Sequence, residues 1–204
     1  AADEASRQDF YKVISSETDR LRRMIDNLLN ISRIEAGLMH IERERADFGE
    51  LVTRAVTNMT PQAQAKDLDI HTQLASVDLA VNGDCDMLYQ VIVNLLSNAI
   101  KYTPNGGRIT VAADAENLTH SLHFSVSDTG LGIAPDQTEK VFDKFYRVEN
   151  YRRVAHGTGL GLNLCRHIVE TLHNGQIGVE SKLGMGSKFW ISIPIGDCGA
   201  KAAA

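Results

Sequence analysis

The chain has 204 residues, 43% of them hydrophobic and 23% charged, with a formal net charge of −5. This length and balance suit a soluble globular protein of one domain plus an appendage, or two small domains, and exclude a disordered chain. The acidic balance points away from nucleic acid, and no apolar run approaches a membrane span. No signal peptide opens the sequence. Cys85, Cys165 and Cys198 are widely spaced, form no metal-ligand pattern and read as reduced thiols. The expected setting is therefore cytoplasmic, without nucleic-acid or membrane contact.

Residues 10–36 carry a helical period. Ile14, Leu21 and Leu28 recur every seven residues, Phe10, Met24 and Ile31 fill the intervening core position, and Glu17 breaks the pattern. This predicts an amphipathic helix of coiled-coil type that needs partner helices, with Gly37 ending it. Leu38 to Arg45 reads as a strand. Asp47 with Glu50 forms a helix-start box, and Leu51, Val52, Ala55, Val56 and Met59 continue that helix. Short strands are expected near 68–74 and 77–82. Asp84 then caps a helix reaching about Tyr102. Strands near 107–114 and 119–127 form a hairpin around Glu116 and Asn117. Residues 134–157 look irregular, 158–173 helical, and a final hairpin joins 175–181 to 187–194 through "KLGMGS". The fold class is α+β: a two-layer sandwich with helices on one face of a mixed, mostly antiparallel sheet, preceded by the amphipathic helix. The expected division is 1–37, 38–197 and a disordered tail, 198–204.

Four stretches carry chemistry. In "NLLSNAIKYT", Asn94, Asn98 and Lys101 fall within a helical sector of about 60°. Leu88, Ile92, Leu95 and Ala99 make the adjoining apolar face. Buried amides must be paired, here with neighbouring backbone or with a ligand. "SDTGLGI" puts Asp128 at a strand end before Gly130, Gly132 and Ile133, which suits a solvated turn or a close approach to a flat ligand. "VFDKFYRVENYRRVAH" has four basic residues (Lys144, Arg147, Arg152, Arg153) and two acidic ones (Asp143, Glu149), net +2 in a chain of −5. That sign reversal fits a solvated loop or a mobile anion clamp. "GTGLGLNL" sets Gly157, Gly159 and Gly161, with Thr158, Leu160 and Leu162, at a helix start, as a phosphate site or a tight packing loop would need. It is neither a Walker A loop nor the dinucleotide fingerprint.

Together, in this order, the four stretches resemble the asparagine, first glycine, aromatic and second glycine boxes of the histidine kinase ATP-binding domain, in the superfamily of gyrase and MutL. "HNGQIGVESKLGMGSKFWISIP" resembles that family's closing hairpin, so the resemblance covers about 38–195. Residues 10–37, ending "LLNISRIEAG", resemble the second helix of its dimerisation and histidine phosphotransfer hairpin. The resemblance implies ATP and Mg²⁺ as cofactors. It makes Asn98 a Mg²⁺ ligand through its amide oxygen, with Asn94 beside it as a second candidate. Lys101 and Tyr102 face the nucleotide, and Asp128 accepts from the adenine amino group. Phe142, Phe145 and Tyr146 belong to the lid, and Arg147 reaches the phosphates. The glycines of 157–161 close on the phosphates, and Ser187 of the closing hairpin joins the site.

The family's acceptor histidine precedes an acidic residue and a nearby proline. None of His40, His71, His120, His123, His156, His167 and His173 has that context. The acceptor helix is therefore expected outside this chain, and no residue here is expected to act as general base. The implied reaction is γ-phosphoryl transfer from ATP to that histidine and relay to a response regulator, within a homodimer formed through the first helix. Alternatives are an ATP-hydrolysing clamp of the gyrase type and a non-catalytic nucleotide-sensing module. The clamp uses a glutamate where Asn94 stands, and an amide cannot take a proton.

Overall fold

The structure, a computed structural model, describes residues 2–116, 120–148 and 157–196. The chain divides into two compact units, Ala1–Met39 and His40–Ala204. The first is a single helix, α1 (Ala2–Glu35), longer at its start than the heptad pattern indicates. Its end is a Schellman turn: the Leu38 N–H donates to the Arg33 carbonyl and the Gly37 N–H to the Ile34 carbonyl. Phe10, Ile14, Leu21 and Leu28 of its stripe are all exposed.

The second unit is a two-layer sandwich. Strand β1 (Glu44–Asp47) precedes α2 (Phe48–Gln64), whose cap is the Asp47 side chain accepting from the Glu50 N–H, as the box predicts. Then come β2 (Asp69–Leu74), β3 (Ala80–Gly83) and α3 (Cys85–Tyr102), the last capped by Asp84 accepting from the Met87 N–H. β4 (Arg108–Glu116) and β5 (Ser121–Asp128) follow, and the hairpin turn at Asn117 lies outside the described residues. α4 is helical over Gly161–Arg166 and winds as a π-helix over His167–Leu172. β6 (Gln176–Lys182) and β7 (Gly186–Pro194) close the fold.

The main sheet runs β2-β4-β5-β7-β6, parallel at β2–β4 and antiparallel elsewhere. The single parallel pair reflects the long crossover through β3 and α3. Alternation aims Ile109, Val111, Leu122, Phe124, Phe189 and Ile191 inward, where they are buried beneath the helices. Phe48 of α2 meets Phe124 edge-on at 5.4 Å between ring centroids.

The expected strand at 38–45 is corrected to Glu44–Asp47. It pairs antiparallel with β3, Glu44 opposite Gly83 and Asp47 opposite Ala80, in a separate two-stranded ribbon. The short partner sets its length. Within the segment read as irregular, Pro135–Gln137 and Lys140–Phe142 form single 3-10 turns. The tail, 198–204, lies outside the described residues.

Candidate functional site

α3 presents its amides as the pattern requires. Leu88, Ile92, Leu95 and Ala99 are buried, Asn94 and Asn98 half-buried, and Lys101 exposed. Asn94 hydrogen-bonds the Cys165 thiol of α4, and its Oδ1 lies 3.0 Å from where a side chain at Gly161 would begin. Burial pushes the Cys165 thiol up to about 12, so it stays protonated and inert. The Asn98 side chain has no hydrogen bond to another described residue.

Asp128 ends β5. Its Oδ1 accepts from the Gly130 N–H at 2.8 Å and from the Ser187 N–H at 3.3 Å, and Oδ2 receives no bond from the described residues. Burial raises its pKa above the usual carboxylate value, and the two N–H groups pull it partly back. Ser187 is held in turn: its Oγ bonds Ser181 Oγ at 2.9 Å, and Ser181 Oγ accepts from the Ile133 N–H at 2.7 Å. The Leu131 N–H donates to the Tyr102 carbonyl, tying this loop to the end of α3. Gly132, at φ +68°, packs its Cα against the Lys182 carbonyl, where any Cβ would collide. The close approach that these glycines permit here is to the protein's own backbone.

The Arg147 guanidinium is within hydrogen-bond reach of Tyr102, countering the burial that raises the Tyr102 hydroxyl. Phe145, half exposed and at φ +62°, donates its N–H to the Gly159 carbonyl at 2.9 Å. Gly159, at φ +72°, leaves only 2.7 Å between a would-be Cβ and the Phe145 carbonyl carbon. Tyr146 is half-buried beside it, whereas the Phe142 ring is buried, 2% exposed. Thr158 Oγ1 accepts from the Leu160 N–H at 3.4 Å. Leu160 is buried, and Gly157 and Leu162 stay partly open. Arg152, Arg153 and His156 lie outside the described residues.

The four stretches thus meet around one end of the sheet. α3 touches the Asp128 loop through Tyr102 and Leu131, the aromatic segment through Tyr102 and Arg147, and α4 through Asn94 and Gly161. Among the described residues no group of three His, Cys, Asp or Glu could hold a metal ion.

The sequence model of the histidine kinase-, DNA gyrase B- and HSP90-like ATPase family matches residues 83–197. The chain belongs to this family. It is 36% identical over 184 residues to sensor protein SrrB of Staphylococcus aureus strain N315, covering 89% of this chain and 31% of that protein. Full-length ShkA, solved with AMPPNP, is similar at TM-score 0.80 and 28% identity, over 97% of this chain and 40% of that one. The nucleotide-free catalytic domain of histidine kinase ThkA gives TM-score 0.67 and 28% identity, over 76% of this chain and 96% of that domain. The chain spans about a third of the length of the curated relatives it matches. The sandwich is the ATP-binding catalytic domain of the sensor histidine kinase kind.

Sequence reading missed several supports. Lys66 Nζ donates to the carbonyls of Ile100, Lys101 and Thr103 at 2.7, 3.2 and 2.6 Å, closing the end of α3. Ser181 orders Ser187, and Asn163 reaches the Phe142 carbonyl. Only Asn163 left a signal, as a lone amide among leucines in "LGLNLC".

Proposed function

We propose that this chain transfers the γ-phosphoryl group of Mg²⁺-ATP to a histidine on a dimerisation helix outside it, for relay to a response regulator. The observation that carries the reading is the meeting of the four stretches around Tyr102 and Asn94, where a carboxylate, amides, a guanidinium and a glycine turn converge. Asp128 Oδ2 accepts from the adenine amino group, and guanine, with a carbonyl there, is rejected. Lys101, Tyr102, Tyr146 and Arg147 line the nucleotide, and the N–H groups of 157–161 turn toward its phosphates. Asn98 would hold Mg²⁺ through its amide oxygen together with phosphate oxygens, and Asn94 stands beside it. The ion offsets phosphate charge that an acidic protein cannot offset alone. Phosphoryl transfer asks for positioning and charge stabilisation, which these residues provide without a general base.

Residues 1–37 are read as the second helix of the dimerisation hairpin and 38–197 as the catalytic domain. No helix among the described residues is long and apolar enough to cross a membrane. The working site is read as cytoplasmic, in keeping with ATP and Mg²⁺ as the proposed ligands. The hydrolysing alternative is disfavoured by Asn94, an amide bonded to Cys165 and unable to accept a proton from water.

The test is radiolabelled ATP with and without a polypeptide bearing the hairpin's acceptor helix. Label is expected on the acceptor, weakly because the tether's effective concentration is lost, and Asn98→Ala abolishes it. ATP that binds but never labels the acceptor overturns the reading. Stable label on this chain alone would reveal an acceptor within it.

A further inference from the structure

Asn163 is 8% exposed on the inner face of α4. Its Nδ2 donates to the Phe142 carbonyl at 2.9 Å, and its Oδ1 is buried without a partner among the described residues. One turn further, the Arg166 guanidinium lies over the Phe142 ring, 4.5 Å from its centroid, and approaches Glu139 at 3.6 Å. Arg166 Nε is also buried and unpartnered among the described residues. Phe142 itself meets Phe189 of β7 edge-on at 6.3 Å.

A leucine or alanine at 163 would bring no unpaired side-chain acceptor of its own to this helix face, and an unpaired buried acceptor costs stability. What the amide supplies in return is the hold on Phe142. Three residues on, Phe145 is tied to Gly159. The stem 139–145 is therefore fixed at two points to α4 and the turn that opens it, directly before Tyr146 and Arg147.

We propose that Asn163 and Arg166 are positioning residues for the phosphate end of the nucleotide. They hold the aromatic stem so that Arg147 and the glycine turn face the phosphates together. This rests on the nucleotide reading above. Neither residue serves the base, which Asp128 on β5 recognises. Loss of the clamp therefore weakens binding of phosphates and spares binding of the nucleoside.

Asn163→Ala exchanges one unpaired acceptor, Asn163 Oδ1, for another, the Phe142 carbonyl, so thermal stability should barely change. Calorimetric titration of the whole chain with Mg²⁺ and a non-hydrolysable ATP analogue, and separately with adenosine, reads the split. The variant should lose about tenfold in affinity for the analogue, the worth of one hydrogen bond, and less than about twofold for adenosine. Arg166→Met, which keeps the volume and removes the charge, should show the same pattern. Equal losses for both ligands, or none, overturn the proposal. If the unmodified chain binds neither ligand, the nucleotide reading fails, and amide exchange then decides the clamp. Faster exchange across 140–146 in Asn163→Ala supports it, and unchanged exchange overturns it.

Discussion

Asp128 spends one oxygen on two backbone N–H groups, while the other receives no bond from the described residues. Its raised pKa bears on both binding and folding. In the proposed site the ionised carboxylate accepts from adenine, so ATP affinity should fall as pH drops through this value, above the ordinary Asp pKa of about 4. Asp128→Asn should weaken ATP about ten- to a hundredfold, erase the preference over GTP and flatten that acid limb. Titrating both proteins from neutral pH down through the acid limb checks this, and an acid limb that is the same in Asp128→Asn as in the unmutated chain would exclude Asp128 as a contact. A carboxylate with a raised folded pKa gives up stability when ionised, so the variant should not melt earlier at neutral pH. His173, 3% exposed, has the opposite sense. Its Nδ1–H donates to the Ile168 carbonyl and its Nε2 accepts from the Asp84 N–H, which requires a neutral ring. Burial lowers its pKa, Arg43 adds to this, and the Ile168 carbonyl and the Asp84 carboxylate oppose it. The stabilisation is complete above the unfolded value of about 6.5 and is lost as pH falls below it. Denaturant midpoints should decline from pH 7.5 to 5.5, and His173→Gln should flatten that slope. Identical slopes would acquit the ring.

At the scale of elements, α2 and α3 begin where the sequence says, because a cap is a bond across three residues: Asp47 to Glu50 and Asp84 to Met87. β1 was displaced because a strand is defined by its partner, and β3 offers only Ala80–Gly83. α1 carries an apolar stripe in which Phe10, Ile14, Leu21 and Leu28 are exposed and Ile31 is buried. Burying such a stripe is what a four-helix bundle across a homodimer does. The chain should therefore self-associate weakly, and a version beginning at His40 should sediment as a monomer. Equal association of both versions would remove α1 as the interface.

For the whole molecule the decisive contacts are long-range. Tyr102 and Leu131, Phe145 and Gly159, and Asn94 and Gly161 each join two of the four stretches. The residue one turn before Asn98 is an amide held by a thiol, which cannot take a proton from water. ATP incubated with this chain and Mg²⁺ should remain intact over hours. Steady phosphate release that Asn98→Ala abolishes would contradict this and favour a hydrolysing clamp.

The sequence by itself determined what depends on near neighbours or on residue identity. This covers the caps, the alternating strands, the sector shared by Asn94, Asn98 and Lys101, and the carboxylate at the strand end. The family followed from four short stretches in a fixed order. Only the tertiary structure decided where the orphan groups find partners. Lys66 closes α3, Ser181 braces Ser187, Gly132 meets the Lys182 backbone, and Asn163 holds Phe142. These pairings join residues far apart in the chain, so no local pattern encodes them. Packing the helices onto one face of the sheet brings them within hydrogen-bond reach.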